Sequence, residues 1–221
     1  MSTWSYSSIK TFEQCPKKYY HLKVVKDVKD EGSEATIYGN EAHKAAEEYV
    51  ATDTPLPARF SYMQKSLDAL RAIPGEKHCE LKLGVALTDK DYASCEFFDT
   101  EAWWRGIADL LVIDGDKGFL VDYKTSKNAK YADTKQLDIL AAAVFTRFPQ
   151  IQKLKSALLF VVSNEFVKKE HTQELRKSYF TSFTPQLDRL LAAEETGVWN
   201  ANSGPLCKFC PVVKCEHNRR R

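Results

Sequence analysis

No apolar stretch long enough to cross a bilayer, roughly 18 residues, occurs in the chain, so a transmembrane helix is excluded. The opening "MSTWSYSSIK" lacks the apolar centre of a signal peptide, and the expected location is cytoplasmic. There is no G-x-x-x-x-G-K-[ST], which excludes the phosphate-binding loop of an ATP motor, and there is no internal repeat or low-complexity linker. A strong excess of one charge is also missing. With 32 basic and 30 acidic residues the net charge is only +2, so any site for a polyanion has to be local. The basic residues do bunch, at Lys10, Lys17, Lys18, Lys23, Lys26 and Lys29, and at Arg219, Arg220 and Arg221. Cysteine is sparse. In a reducing compartment six cysteines argue against structural disulfides and in favour of metal binding by a clustered subset.

The 43% hydrophobic content is enough for an ordinary globular core. Ser7 or Ser8 can cap a short helix bearing Ile9 and Phe12, which Pro16 interrupts or restarts. Helical spacing predicts a second helix from about Ile37 to Thr52 with Ala42, Ala45, Ala46 and Tyr49 inward, and a third over about Arg59 to Ile73. "CELKLGVAL" alternates as a half-buried strand, and "WWRGIADLLVI" follows as another. The turn "DGDKG" joins it to "FLVDYK", so residues 103–124 read as a β-hairpin. Leu137, Leu140, Ala141, Val144, Phe145 and Phe148 recur at helical spacing after a cap at Asp133 or Thr134. "KSALLFVVS" reads as a buried strand, "KSYFTSF" as a further strand, and about Pro185 to Glu195 as a helix before an irregular tail. The fold class predicted is α/β, a mixed central sheet flanked by helices with a helical N-terminal part.

The charges at the end of the hairpin are the candidate chemistry. In "GFLVDYKTSK" Asp122 and Lys124 share one strand face with Leu120, so charge occupies only the end of an otherwise apolar face, as at a cleft. The preceding strand carries a second lone acid, Asp109, among Ile107, Ala108, Leu110 and Leu111, and burying an unpaired carboxylate costs several kcal/mol. With an even loop length Asp109 and Asp122 face one another. Two convergent carboxylates suit a hard cation such as Mg2+, and an adjacent Lys124 could orient the attacking water and neutralise transition-state charge.

Asp109, Asp122 and Lys124 in "GIADLLV…FLVDYKTSK" resemble the core of the PD-(D/E)xK nuclease superfamily, specifically its RecB-type branch. "GNEAHKAAEEY" resembles that branch's G-x-x-H helix and "KQLDIL" its Q-x-x-x-Y helix, with Leu140 standing where the pattern has tyrosine. The resemblance implies a restriction-endonuclease-like core. It implies Mg2+ or Mn2+ held by His43, Asp109, Asp122 and the backbone carbonyl of Tyr123, a catalytic Lys124, and a Gln136 that contacts DNA. Glu47, one turn after His43, can share its helical face and support the site, although a solvated side chain is its plainer reading, and Glu80 lies in a strand beside the hairpin; Trp103 and Trp104 read as core and rim aromatics.

"PLCKFCPVVKCEH" gives a C-x2-C-x4-C spacing, with Cys15 isolated near the start. Cys15, Cys207, Cys210 and Cys215 resemble the 4Fe-4S set of this branch, one cysteine before the nuclease motifs and three after, as in nucleases of CRISPR adaptation and of helicase–nuclease repair complexes. The alternative is Zn2+ on the same three C-terminal cysteines with Cys15 or His217 as the fourth ligand. Cys79 and Cys95 read as a core thiol and a loop thiol. The expectation is therefore one nuclease domain over residues 1–221: a helical part over about 1–75, a catalytic core over about 76–196, and a cysteine tail over about 197–221 joined to Cys15. Its expected activity is exonucleolytic hydrolysis of DNA ends or single strands, with a helicase or recombination protein as a further partner. The alternatives are a junction or flap endonuclease of the same fold, or a non-catalytic zinc-stabilised DNA-binding module.

Overall fold

The computed structural model describes residues 3–30 and 32–219; Arg220 and Arg221 of the terminal basic run lie outside the described residues. The chain divides into two compact units, one built from Ser33–Thr181 and the other from the segment through Gly32 together with the chain from Ser182 onward.

The larger unit holds a six-stranded mixed sheet in the order β2-β1-β3-β4-β5-β6. The strands are β1 (Glu76–Leu87), β2 (Tyr92–Cys95), β3 (Ala102–Asp114), β4 (Lys117–Lys124), β5 (Lys153–Phe160) and β6 (Glu165–Thr172). Every neighbouring pair is antiparallel except β4 and β5, which are parallel. A parallel pair needs a crossover, and the helix over Lys135–Arg147 supplies it. That helix is buried at Leu137 and continuously from Ile139 to Phe145, as expected of one covered nearly all round.

The helix over Glu34–Thr52 starts at Ser33, whose side chain accepts from Thr36 N–H while Thr36 Oγ1 accepts in return. Its inward residues Ala42, Ala45, Ala46, Tyr49 and Val50 pack with Phe60, Met63, Leu67 and Leu70 against Leu110, Val112, Val121 and Tyr123 of the sheet. The expected third helix is split, with a 3₁₀ segment over Ala58–Met63 leading into a helix over Gln64–Arg71.

The predicted hairpin forms, with Asp114 opposite Lys117 across a two-residue turn whose first residue, Gly115, has φ +61°. The short strand β2 was not anticipated, and Cys95 lies on it rather than in a loop. "KSYFTSF" is not a strand. Arg176–Thr181 is helical, and the strand paired with β5 is the preceding "EFVKKEHT". The true edge strand carries three lysines or glutamates in a row, the charged dressing that keeps edges from pairing further and also hides them from a hydrophobic pattern.

In the other unit a helix over Tyr6–Gln14 is capped by Ser5, two or three residues earlier than expected, and Pro16 opens a new short helix over Pro16–Tyr19. The helix over Thr184–Thr196 ends at Gly197 with φ +67°. Trp199 stacks on Tyr19 with centroids 6.0 Å apart, and Phe12 meets both rings edge-on. The tail beyond is irregular apart from a 3₁₀ turn over Pro205–Phe209.

Candidate active site

The register of β3 against β4 sets the geometry of the site. Leu110 pairs with Val121, the next position would set Asp109 against Asp122, and there the backbone ladder stops. Instead, the Tyr123 N–H donates to Asp109 Oδ2 at 2.6 Å, so a carboxylate takes the place of a strand carbonyl. The two strands part at that point and leave the acids at the mouth of the gap. Asp109 is 8% exposed and Asp122 is 3% exposed. Such burial is unfavourable for two neighbouring carboxylates unless cations or donors face them.

Asp122 and Lys124 point to the side of the sheet covered by the crossover helix. Lys124 Nζ lies 2.6 Å from Asp122 Oδ2 and donates to Gln136 Oε1 at 2.9 Å, while Gln136 Nε2 donates to Asp122 Oδ1 at 2.5 Å. Gln136 sits in the first turn of its helix, and its amide bridges the acid and the base. Leu140, one turn further on, is buried.

On the other helical layer His43 extends from the Glu34–Thr52 helix toward Asp109, with Nδ1 3.3 Å from Oδ2. The third member is Glu80. His43, Glu80 and Asp109 each offer a ligand atom, all within 4.8 Å of one another; among the described residues this is the group of His, Cys, Asp or Glu that converges so closely. Glu80 stood outside the ligand set that the sequence motifs marked. Its signal was a lone acid in the alternating strand "CELKL", and what brings it in is a backbone distortion. Cys79 pairs with Leu110 and Leu81 with Ala108, but Glu80 itself has φ +49°, in the left-handed region that non-glycine residues rarely occupy. Glu47, on the His43 helix, adds its charge to the surroundings of Glu80.

The titration of these groups records crowded negative charge. Burial, then the charge of Asp109, raises Asp122 to a pKa of about 6, even with Lys124 pulling the other way. Burial, with Asp109 and Glu47, also raises Glu80. Burial alone would depress the His43 imidazole, but its hydrogen bond to Asp109 and the charges of Asp109 and Asp122 outweigh that and raise it. A bound cation relieves this crowding, and the converging donors, the His43 imidazole and the carboxylates of Glu80 and Asp109 with Asp122 charged nearby, are of a kind that fits a divalent metal.

A second constellation lies in the smaller unit. Cys15, Cys207, Cys210 and Cys215, all half-buried, line a cavity of about 440 Å³ together with His217 and Asn202. The Asn202 N–H donates to Cys15 Sγ at 3.4 Å and the Gly204 N–H donates to Cys207 Sγ at 3.3 Å. Lys17 pairs with Glu216 at 2.5 Å beside Cys15 and Cys215.

Two solved structures share the fold. The protein SSO0001 matches with a TM-score of 0.50 at 12% identity, covering 99% of this chain and 88% of the other. A protein from Eubacterium rectale named "putative exonuclease" matches with a TM-score of 0.51 at 14% identity, with the same coverages. At these identities the likeness speaks to the fold alone. No curated protein matches. The family model of the PD-(D/E)XK nuclease superfamily matches residues 3–215, and it is to this superfamily that the chain belongs.

Proposed function

We propose that this chain is a Mg2+- or Mn2+-dependent deoxyribonuclease, a single nuclease domain that acts as an exonuclease on DNA ends or single strands. The observation that carries the reading is the convergence of His43, Glu80 and Asp109 within 4.8 Å beside the Asp122–Lys124–Gln136 network, where β3 and β4 part. His43, Glu80, Asp109, Asp122 and the backbone carbonyl of Tyr123 would hold the cation. When bound, it would activate water for attack on the phosphodiester and offset charge on the phosphate oxygens. Lys124, fixed between Asp122 and Gln136, presents its ammonium where negative charge develops on the phosphate. Gln136 acts here first as a positioning residue, since both ends of its amide are engaged in the network. End-labelled single- and double-stranded DNA incubated with Mg2+, Mn2+ or EDTA tests the reading, with Asp122→Asn as control. Metal-dependent loss of the end label that disappears in the variant is expected, and equal degradation by the variant would overturn it.

For the cysteines we propose a 4Fe-4S cluster on Cys15, Cys207, Cys210 and Cys215. Zn2+ at about 2.3 Å from each sulfur draws its ligand atoms to within roughly 4 Å of one another. Among the described residues no three of these sulfurs and the His217 nitrogens come within 4.8 Å, and a cavity separates them. Backbone N–H donors directed at the sulfurs are the kind of contact that tunes a cluster. The cluster's part is to hold the fold, with DNA hydrolysis left to the carboxylate site.

A further inference from the structure

The strand face of β3 that carries Asp109 continues away from the carboxylates, and exposure returns along it at Ile107 and at Lys82 of β1. Arg105, Ile107 and Asp109 alternate with Trp104 and Ala108, which are buried, while Ile107 is 38% exposed. On β1, Lys82 stands opposite Ile107 and Gly84 opposite Arg105. Four residues of antiparallel strand separate Asp109 from Arg105, about 14 Å, which is the rise of about four stacked nucleotides at 3.4 Å each.

At the far end of this strip the chain leaving β2 presents Phe97 and Phe98. Their rings meet edge-on at 5.0 Å and 87°, and Phe98 is 76% exposed. Two cations flank the pair. Lys82 Nζ lies 6.0 and 5.8 Å from the centroids of Phe97 and Phe98, and Arg105 Cζ lies 6.0 Å from both. Neither the loop nor the arginine is loosely placed. Arg105 Nη2 donates to the Asp99 carbonyl at 2.7 Å, and a side chain at Gly84 would collide with the carbonyls of Cys95 and Glu96 at 2.8 and 2.7 Å. A cavity of about 240 Å³ adjoins the rings, with Lys82, Arg147 and Glu96 among its lining residues.

An exposed aromatic face beside side chains that attract phosphate is the combination used to hold single-stranded nucleic acid without regard to sequence, by base stacking and backbone neutralisation. We propose that Phe98, flanked by Lys82 and Arg105, is a stacking platform for a base of single-stranded DNA, whose strand then runs along β1 and β3 to the carboxylates. This inference rests on the nuclease reading of that site, and it makes Phe98 a determinant of preference for single strands.

The test is fluorescence anisotropy of labelled dT12 and dT2 with the full chain in EDTA, where no turnover intervenes. Phe98→Ala is expected to weaken dT12 binding about tenfold, the order expected for one lost base–aromatic stack, and to leave dT2 binding unchanged. Phe98→Trp should preserve dT12 binding and Phe98→Leu should not. Lys82→Gln should flatten the salt dependence by about one phosphate contact, a slope change of roughly 0.7. Wild-type dT12 affinity in Phe98→Ala, equal rescue by Leu and Trp, or no dT12 binding by the wild type would each overturn the platform. Failure of the nuclease reading looks different: no cleavage that depends on Asp122, whatever Phe98 does to binding.

Discussion

Asp122 carries the conflict of the site in one side chain. In the metal-free protein its folded pKa is about 6 against an ordinary 3.8, because burial and Asp109 disfavour the anion more than Lys124 favours it. A raised folded pKa means that the folded state holds the proton more tightly. The contribution to stability is therefore present below about 4 and is lost as the pH rises through about 6. At neutral pH the ionised group opposes folding, so Asp122→Asn is expected to stabilise metal-free protein by on the order of 2 kcal/mol while abolishing turnover; urea unfolding in EDTA and the end-label assay read the two effects. A destabilised variant would remove the charge-crowding account of the site. Lys124→Ala should behave differently. Its loss removes one charge-stabilising donor, so kcat should fall by roughly 10²–10³ with the Mn2+ affinity, measured by calorimetry, little changed.

Glu80 shows how an element's backbone can recruit a residue that its sequence pattern does not mark. A glutamate held at φ +49° in mid-strand costs about 1 kcal/mol or more that a glycine does not pay. Glu80→Gly is accordingly expected to be more stable than Glu80→Ala by about 1 kcal/mol, and both should raise the Mn2+ concentration needed for half-maximal activity by about tenfold or more; equal stability of the pair would remove the strain. The hairpin with Asp109, Asp122 and Lys124 was legible because period-2 alternation, an even turn and a glycine at the turn act locally. The inward face of the His43 helix was legible for the same kind of reason, its alanines recurring every turn. Glu80 was only weighed, since φ is set by the partners of β1 and not by "CELKL" itself. Strand β6 was misread because its polar residues look outward from an edge and its apolar signal fell on the helix that follows. That edge also holds a buried network: Ser156 Oγ lies 2.8 Å from His171 Nε2, and Asp138 Oδ1 lies 3.5 Å from His171 Nδ1. Burial depresses His171 to about 4 from 6.5, so the folded state keeps it neutral while the unfolded chain takes up a proton. Its contribution is full above about 6.5 and is lost as the pH falls toward 4, opposite in sign to that of Asp122. Relative to the wild-type slope measured in EDTA between these limits, to which Glu80 contributes in the same sense as Asp122, stability should fall more steeply with rising pH in His171→Gln and less steeply in Asp122→Asn; parallel slopes in the two variants would refute the assignment.

At the scale of the whole chain, the smaller unit is assembled from both ends of the sequence, and its four thiols come from both. Contacts that close so long a loop must overcome its closure entropy, which grows only slowly with length, and a metal that draws Cys15 to Cys207, Cys210 and Cys215 contributes its binding free energy to that closure. The aromatic packing of Trp199 on Tyr19 and Phe12 works in the same direction, but it is a hydrophobic contact that the bulk residues of the unfolded chain can partly imitate. The thiol set cannot be imitated in that way. If the cavity holds a 4Fe-4S cluster, anaerobically purified protein should be brown and contain iron and sulfide, and Cys15→Ser should lose the colour and on the order of a few kcal/mol of stability, by analogy with long-loop cross-links. His217→Ala should change neither. A zinc site closed by His217 reverses the pattern: colourless protein, zinc without iron, a harmless Cys15→Ser and a damaging His217→Ala. Elemental analysis and thermal unfolding of the three proteins separate the two outcomes, and because the cysteines and the carboxylates lie in different units, either result leaves the predictions for Asp122 and Lys124 standing.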